Sequence, residues 1–489
     1  MANYNNSHTT GRQFFVNGLK EVREPRARAH PIVYFFLFLR AGSVSRSFFL
    51  LVSLFLGNNL LLFFRLITEL CDLMGKKERI ILFLLAGLNF THILDFMIMM
   101  PLGNYLMPYF NISPKEFTFL VSAYSVSAAI SGFIAAFIVD KFDRKKILVF
   151  SYIGFVLGTI ACGFAPDYEL LFASRIFAGL FGGIIGAQVL AIIADIFSYE
   201  RRGVAMGSVM SAFAIASILG VPFSLYLTNI FHADWHIPFL LVGGIGIVLI
   251  PLIIRFIPAM DSHIADKSQR EGPLRMLVSI LQSPPQRTAL IFSCLLMMGH
   301  FLIIPFINPY MEFNKGFSKE LTPMIYLVGG MASLIAAFYL GRVADKKGKL
   351  PVFSLSVFLS LFMVVIITRM PTVPFAVVLG FFAIWFIFAT GRAITAQAMI
   401  SEVVQPEQRG SFMSFNGCVQ QLGTSIASIA AGFIVIKDPA GKIERYEWLG
   451  YLSIVVLVTS LVIGRRLFKN IDKTEDEAQM EKELLKETA

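Results

Sequence analysis

From about residue 80 onward, long apolar runs alternate with short polar stretches. A bilayer core of roughly 30 Å takes about twenty residues of helix to cross. Twelve runs meet that length, near 80–101, 117–139, 147–165, 170–194, 203–228, 236–257, 288–311, 321–343, 350–368, 373–399, 411–435 and 448–464. One long interior connection, 258–287, divides them six and six. Within it, LRMLVSILQ (Leu274 to Gln282) has the spacing of a short amphipathic helix lying on a membrane surface. The predicted fold is an all-α integral membrane protein, with twelve transmembrane helices in two pseudo-symmetric six-helix bundles. The bundles are expected at 74–257 and 288–468, with a cytoplasmic linker at 258–287 and a cytoplasmic tail at 469–489.

Composition agrees: 56% of the residues are hydrophobic and 15% are charged, against about 25% charged in soluble proteins. The net charge of +10 reads as loop charge and not as a nucleic-acid footprint, because Lys and Arg gather on the cytoplasmic side of membrane proteins. Lys141, Arg144, Lys145 and Lys146, then Arg201 and Arg202, then Arg342, Lys346, Lys347 and Lys349 fall in alternate loops. The intervening loops at 166–169 and 229–235 have none, while 437–446 departs with Lys437, Lys442 and Arg445. The bias predicts a multi-pass protein of the cell (inner) membrane with both termini cytoplasmic. The four scattered cysteines, Cys71, Cys162, Cys294 and Cys418, show no disulfide or metal spacing. No cofactor and no metal are expected.

Residues 1–73 do not fit. Their apolar run, Phe48 to Phe64, is interrupted by Asn58 and Asn59. As a span it would place Arg12, Lys20, Arg23, Arg26, Arg28, Arg40 and Arg46 outside, against the charge rule. MGKKERIILF from Met74 reads as a normal cytoplasmic start. The segment is read as a non-functional extension, with an interfacial segment or a thirteenth span as the alternatives.

The densest polar stretch is DKFDRKK, Asp140 to Lys146, and its pattern recurs in DKKGKLP, Asp345 to Pro351. A shift of 205 residues carries Asp140 onto Asp345, Lys141 onto Lys346, Asp143 onto Gly348 and Arg144 onto Lys349. A second repeat follows the fourth span of each half, where Asp195 and Arg202 match Glu402 and Arg409. In both, the acid sits seven residues before the Arg. Matching loops in two halves suit a fold with an axis along the membrane normal. Acid at a helix end and a base one turn on can latch neighbouring helices in one conformation and release them in another. Asp140, Arg144, Asp345, Lys349, Asp195, Arg202, Glu402 and Arg409 are therefore read as a cytoplasmic gate.

These loops resemble the signature of the major facilitator superfamily; the first copy departs from it, with Ala136 and Asp143 where Gly is usual. RIFAGLFGG (Arg175 to Gly183) resembles the fourth-span motif of that family, and DFMIMMP (Asp95 to Pro101) the first-span motif of its drug and proton antiporters. SILGVPFSLYL (Ser217 to Leu227) resembles their fifth-span motif, in which Gly220 lets a neighbour pack close and Pro222 kinks the helix. The resemblance covers about 74–470, and is nearest to twelve-span drug antiporters and arabinose-efflux-like permeases. It implies alternating access between two rocking bundles, a small-molecule substrate, protons as the coupling ion, lipid as surroundings and a monomer.

Charges inside spans are functional hypotheses by default, because hydrocarbon makes them costly. They are His92, Asp95, Arg175, His300 and Arg392. Asp95 lies roughly 24 Å along its helix from Arg79, at 1.5 Å per residue. Arg175 falls at a similar depth on the fourth span, so an Asp95–Arg175 pair is expected. The same 205-residue shift places His300 on Asp95, each followed by Phe. Asp95, Arg175 and His300 are the proton-coupling candidates. Arg392 is read as near the cytoplasmic end of the tenth span, either snorkelling or lining a cavity. His92, Gln188, Asn308 and Gln397 are the other cavity candidates; Asn416, Gln420 and Gln421 are further polar groups within spans.

The expected function is secondary active transport, with proton-coupled efflux of a small drug- or sugar-like compound favoured. Uptake of a sugar or organic acid by symport keeps the fold and reverses the direction. An intramembrane enzyme is disfavoured, since neither His-Glu-x-x-His nor Gly-x-Ser-x-Gly occurs. A transporter-like receptor is disfavoured because no sizeable soluble domain is evident.

Overall fold

The computed structural model describes residues 75–138, 142–197, 199–232, 234–260, 273–404 and 409–469. The extension 1–73, the tail beyond Lys469 and Asp140 lie outside the described residues. Among the described residues, twelve helices are long and apolar enough to span. They are α1 (Lys76–Ile98), α2 (Pro114–Ile138), α3 (Arg144–Cys162), α4 (Tyr168–Ile196), α5, α6 (Ile237–Phe256), α7, α8 (Pro323–Lys347), α9 (Lys349–Thr368), α10 (Phe375–Ser401), α11 (Arg409–Ile434) and α12 (Tyr446–Leu467). The linker stretch forms a helix, Pro273–Gln282.

Two spans are composite, each where proline removes a backbone donor. α5 runs as Tyr199–Ile215, a π turn Ala216–Gly220 and Val221–Ile230. The ladder widens to the π turn just before Pro222, with Val221 N–H donating to Ala216 O. A Cβ on Gly220 would stand 2.8 Å from Leu94 of α1, so the turn also needs glycine for close packing. α7 runs straight over Pro284–Phe301, then breaks around Pro305 and Pro309 into a 3-10 turn Ile304–Phe306 and a π turn Tyr310–Asn314. The span expected near 288–311 is thus present, and its prolines divide it.

Packing repeats between the halves. α1 meets α5 and α6 as α7 meets α11 and α12, and α4 takes α2 and α3 as α10 takes α8 and α9. The halves join where α2 lies along α11 and where the π turn of α5 meets α8. The surface keeps large apolar side chains exposed, such as Phe83, Phe150, Val248 and Phe433, as a lipid solvent requires.

One end of the molecule holds the α2–α3 and α8–α9 loops and is called here the knot face. The other, the hairpin face, holds β1 (Ile436–Lys437) paired antiparallel with β2 (Ile443–Glu444). This hairpin contains the anomalous basic residues of 437–446 and folds onto the end of α7. Asn314 exchanges two hydrogen bonds with Ile443, at 2.7 and 2.8 Å, and the Lys437 ammonium lies 5.6 Å from the Phe313 ring. Cys162, Cys294 and Cys418 are unbridged; Cys71 lies outside the described residues.

Candidate functional site

Each bundle contains one buried polar triad, built from the first, third and fourth helix of its half. In the N-terminal bundle, Asp95 of α1 and Arg175 of α4 are fully buried. Arg175 Nη1 donates to Asp95 Oδ2 at 2.7 Å, and the Thr159 hydroxyl of α3 donates to Asp95 Oδ1 at 3.1 Å. The expected pair is therefore present, and each carboxylate oxygen has a donor. The guanidinium lies 4.5 Å from the centre of the Tyr124 ring of α2 and 5.9 Å from that of Phe239 of α6. Cation–π attraction of this kind strengthens when the cation is desolvated. Five of the six helices meet at this one charge pair.

In the C-terminal bundle, His300 of α7 meets Arg392 of α10, with Nδ1 and Nη2 2.9 Å apart. Arg392 Nη1 donates to the Ser360 hydroxyl of α9 at 3.0 Å. The Trp385 ring stacks on the imidazole, centroids 5.0 Å apart. Arginine has only donors, so Nδ1 of His300 accepts and the ring proton sits on Nε2. Arg392 is 2% exposed. Snorkelling is therefore a wrong expectation: the side chain turns into the bundle, where hydroxyl and imidazole acceptors meet it. Among the described residues no carboxylate pairs with it.

The other sequence candidates are scattered. His92 packs between Tyr124 and Phe155, ring centroids 6.2 and 5.8 Å away, and both its nitrogens are buried without a protein partner. Gln188 and Asn308 are also buried, with Gln188 Oε1 and both Asn308 amide atoms unpartnered. Gln397 is exposed and meets Gln420 Nε2 at 3.5 Å. Gln420 Nε2 in turn donates to the Ser293 hydroxyl at 3.1 Å. Asn416 is buried.

At the knot face three ion pairs among the described residues each lie within one bundle. Arg144 Nε meets Asp195 Oδ2 at 2.8 Å, and Arg201 meets Glu78 at 2.9 Å. Arg409 meets Glu402 at 3.2 Å. Among the described residues, Asp195 at the end of α4 meets the knot arginine, and Glu402 at the end of α10 meets the arginine seven residues on. Asp143 caps α3, accepting from Lys145 N at 2.8 Å and from Met260 N at 3.1 Å. Its counterpart Gly348 has φ +91°, a conformation that favours glycine. The first copy thus lacks Gly at this position because a capping Asp with negative φ makes its turn. Asp345 is exposed in the last turn of α8, and Lys349 opens α9. The Arg202 side chain and Asp140 lie outside the described residues.

At the hairpin face a polar ring crosses between the halves. Asn104 Nδ2 donates to Glu312 Oε2, and Lys319 Nζ lies 3.6 Å from Glu312 Oε1. Lys319 also sits 4.7 Å from the Tyr105 ring centre. Tyr105 donates to Asn229 Oδ1 at 2.7 Å, and Asn229 Nδ2 donates to the Lys319 carbonyl at 3.3 Å. Burial, with Glu312 next in effect, pushes the Tyr105 phenol up and keeps it a donor. Below the ring, Phe117 packs against Phe306 at 6.3 Å and Phe96 against Phe301 at 5.8 Å.

Sequence reading missed this ring, because Glu312 and Lys319 look like loop charges beside a span ending near 311. It also missed Thr159, Ser360 and Trp385, which are ordinary residues in apolar helices. The partnership of His300 with Arg392 has no signal in the repeat register. With α4 and α10 starting at Tyr168 and Phe375, a shift of 207, Arg175 maps to position 382, ten residues before Arg392. That is nearly three turns, so the two arginines look unrelated until their helices are packed.

The profile of the Major Facilitator Superfamily matches residues 82–395 and 334–487. The chain is 24% identical over 385 residues to an uncharacterized MFS-type transporter, YceJ, of Bacillus subtilis, covering 78% of this chain and 93% of that one. It is 22% identical over 240 residues to a probable sugar efflux transporter of Helicobacter acinonychis, covering 49% and 59% respectively. The fold resembles the crystal structure of the nucleoside transporter NupG, at TM-score 0.65 and 12% identity over 79% of this chain and all of that one. It also resembles a bacterial homolog of the human lysosomal transporter Spinster, inward-facing and occupied, at TM-score 0.63 and 13% identity over 81% and 98%.

Proposed function

The chain belongs to the Major Facilitator Superfamily, and we propose on that premise that it extrudes a small organic compound in exchange for protons across the cell membrane. It is a transporter and not an enzyme. The observation that supports proton coupling is the pair of Asp95 and Arg175, both fully buried. A carboxylate in that position has two states of very different cost: charged while Arg175 and Thr159 hold it, neutral when a proton replaces the cation. Asp95 carries the proton, and Arg175 is the positioning residue that holds the carboxylate charged until the bundle opens. The efflux direction rests on the Gly220–Pro222 π turn at the α5–α8 boundary and on the name of the Helicobacter relative.

The Lys and Arg bias makes the knot face cytoplasmic. In this reading the polar ring around Glu312 holds the outer side closed. The knots act at the opposite face, with Asp140 and Asp345 engaging when the cytoplasmic side closes.

The test is gradient-driven flux in proteoliposomes across a pH series. Asp95→Asn is expected to keep substrate exchange and to lose extrusion driven by a pH gradient. Arg175→Gln is expected to weaken extrusion driven by a pH gradient, because the guanidinium that holds the Asp95 carboxylate in place is gone. Full pH-driven transport by Asp95→Asn would exclude Asp95 as the proton site.

A further inference from the structure

The C-terminal triad has an asymmetry that coupling through Asp95 does not use. Its cation is as buried as its counterpart, yet its partners are neutral. A buried charge without an opposite charge is costly, unless an anion arrives from elsewhere. The arrangement also fixes where an anion would bind. Arg392 occupies Nδ1 of His300, so the imidazole must present Nε2–H as a donor. The positive charge stands directly behind that donor. His300 itself is half-buried, unlike Arg392.

The surroundings define the rest of the ligand. Trp385 covers one face of the imidazole. Phe301 meets it edge-on at 5.5 Å and reaches Phe96 of the other bundle. The position is therefore at the boundary between bundles, with aromatic walls. Ser293 lies seven residues before His300, on the same face of α7, and joins Gln420 and the exposed Gln397. This polar line runs from the knot face toward His300.

We propose that His300 is a substrate-binding residue for the anionic group of the transported compound, with Arg392 as the positioning residue behind it. The substrate class is a small organic acid with an apolar, preferably aromatic, body. This deepens the transport reading by naming its substrate class, and rests on it only in that the site serves transport.

The test is equilibrium binding to the purified full chain, with phenylacetate as the probe and phenylacetamide as its neutral isostere. Thermal unfolding and tryptophan fluorescence are the readouts; Trp385 reports on the imidazole it stacks on. Phenylacetate is expected to raise the unfolding midpoint saturably and to change the fluorescence, and the amide is expected to do neither. His300→Phe keeps a ring and removes the donor, and should weaken phenylacetate by about tenfold or more, the loss of one charge-assisted hydrogen bond. Arg392→Met should do the same; if that variant fails to fold, His300→Phe decides alone. A control substitution on the lipid-facing surface, Phe150→Leu, should bind phenylacetate like the parent. Binding is read without a gradient, so failure of proton coupling and failure of this site are separate outcomes. Equal effects of acid and amide, no effect of either, or full binding by His300→Phe would overturn the assignment.

Discussion

The two bundles solve one packing problem with different chemistry. Each ties its first, third and fourth helices together through an arginine, and each supplies a hydroxyl, from Thr159 or Ser360. The N-terminal bundle adds a carboxylate and closes the charge; the C-terminal bundle adds an imidazole and leaves it open. In low dielectric this is the difference between a self-contained pair and a standing demand for an anion. The comparison teaches that the two halves bring the same three helices together through polar groups at different registers, while a single side chain decides whether the meeting point is a lock or a socket. In the readings proposed above, a proton exchanges at the first and a ligand binds at the second.

The largest expected effect comes from breaking the lock. Asp95→Ala strands Arg175, a fully buried cation, and should cost about 3–5 kcal/mol, as removing one member of a buried pair does. His300→Ala should cost much less, because Arg392 already lives without a counter-charge. Thermal unfolding of the two variants, side by side, checks this. Restoring stability in Asp95→Ala by adding Arg175→Met would show that the stranded charge, and not lost volume, is responsible. Equal losses in both bundles would erase the distinction between them.

A middle-sized effect separates the two knots. Gly348 stands at φ +91° and ψ 147°, a region almost closed to other residues, so Gly348→Ala should cost about 1–3 kcal/mol. Asp143→Ala removes a cap and should cost about 0.5–2 kcal/mol. The informative variants are the exchanges. Gly348→Asp should fail to cap α9 and lose stability, because an Asp needs the negative φ that position 143 has. Asp143→Gly should lose only the cap. If Gly348→Asp were neutral by thermal unfolding, the turns would be interchangeable.

The sequence makes the twelve spans, their six-and-six division and the repeated loops legible, because apolar length and charge density are local properties. The Asp95–Arg175 pair is legible too, since an acid and a base at matching depth on neighbouring spans leave each other little alternative. What stays hidden depends on packing across long sequence distances. Arg392 sits beyond the depth that symmetry gives it, so only the packed helices place it against His300. Thr159 and Ser360 are unremarkable hydroxyls until a charge lands beside them. The ring around Glu312 gathers residues from three connections, each of which reads as an ordinary polar loop. The breaks in α5 and α7 fall at prolines, but nothing in the sequence says that the ladder would widen to a π turn.

The smallest expected effect, and the sharpest on the comparison, comes from turning the socket into a lock. His300→Glu places a carboxylate within reach of Arg392, whose present contact to the ring is 2.9 Å. The new pair would neutralise the cation, as Asp95 neutralises Arg175. Two opposed terms set the stability change. Desolvating a second charge costs several kcal/mol, and the attraction to an already buried cation returns it. Because Arg392 is buried in either case, its own desolvation is not charged to the substitution, and the balance should favour the variant by about 1 kcal/mol, the scale of a net charge-assisted hydrogen bond. A double-mutant cycle isolates the pair: His300→Glu in an Arg392→Met background should be destabilising, since the carboxylate then has no partner. Phenylacetate should no longer shift the unfolding midpoint of His300→Glu, because the resident carboxylate occupies the charge the ligand would meet. Stabilisation together with lost binding would mean that one residue separates the two bundles. Retained phenylacetate binding would mean that the open charge of Arg392 is not what the ligand answers to.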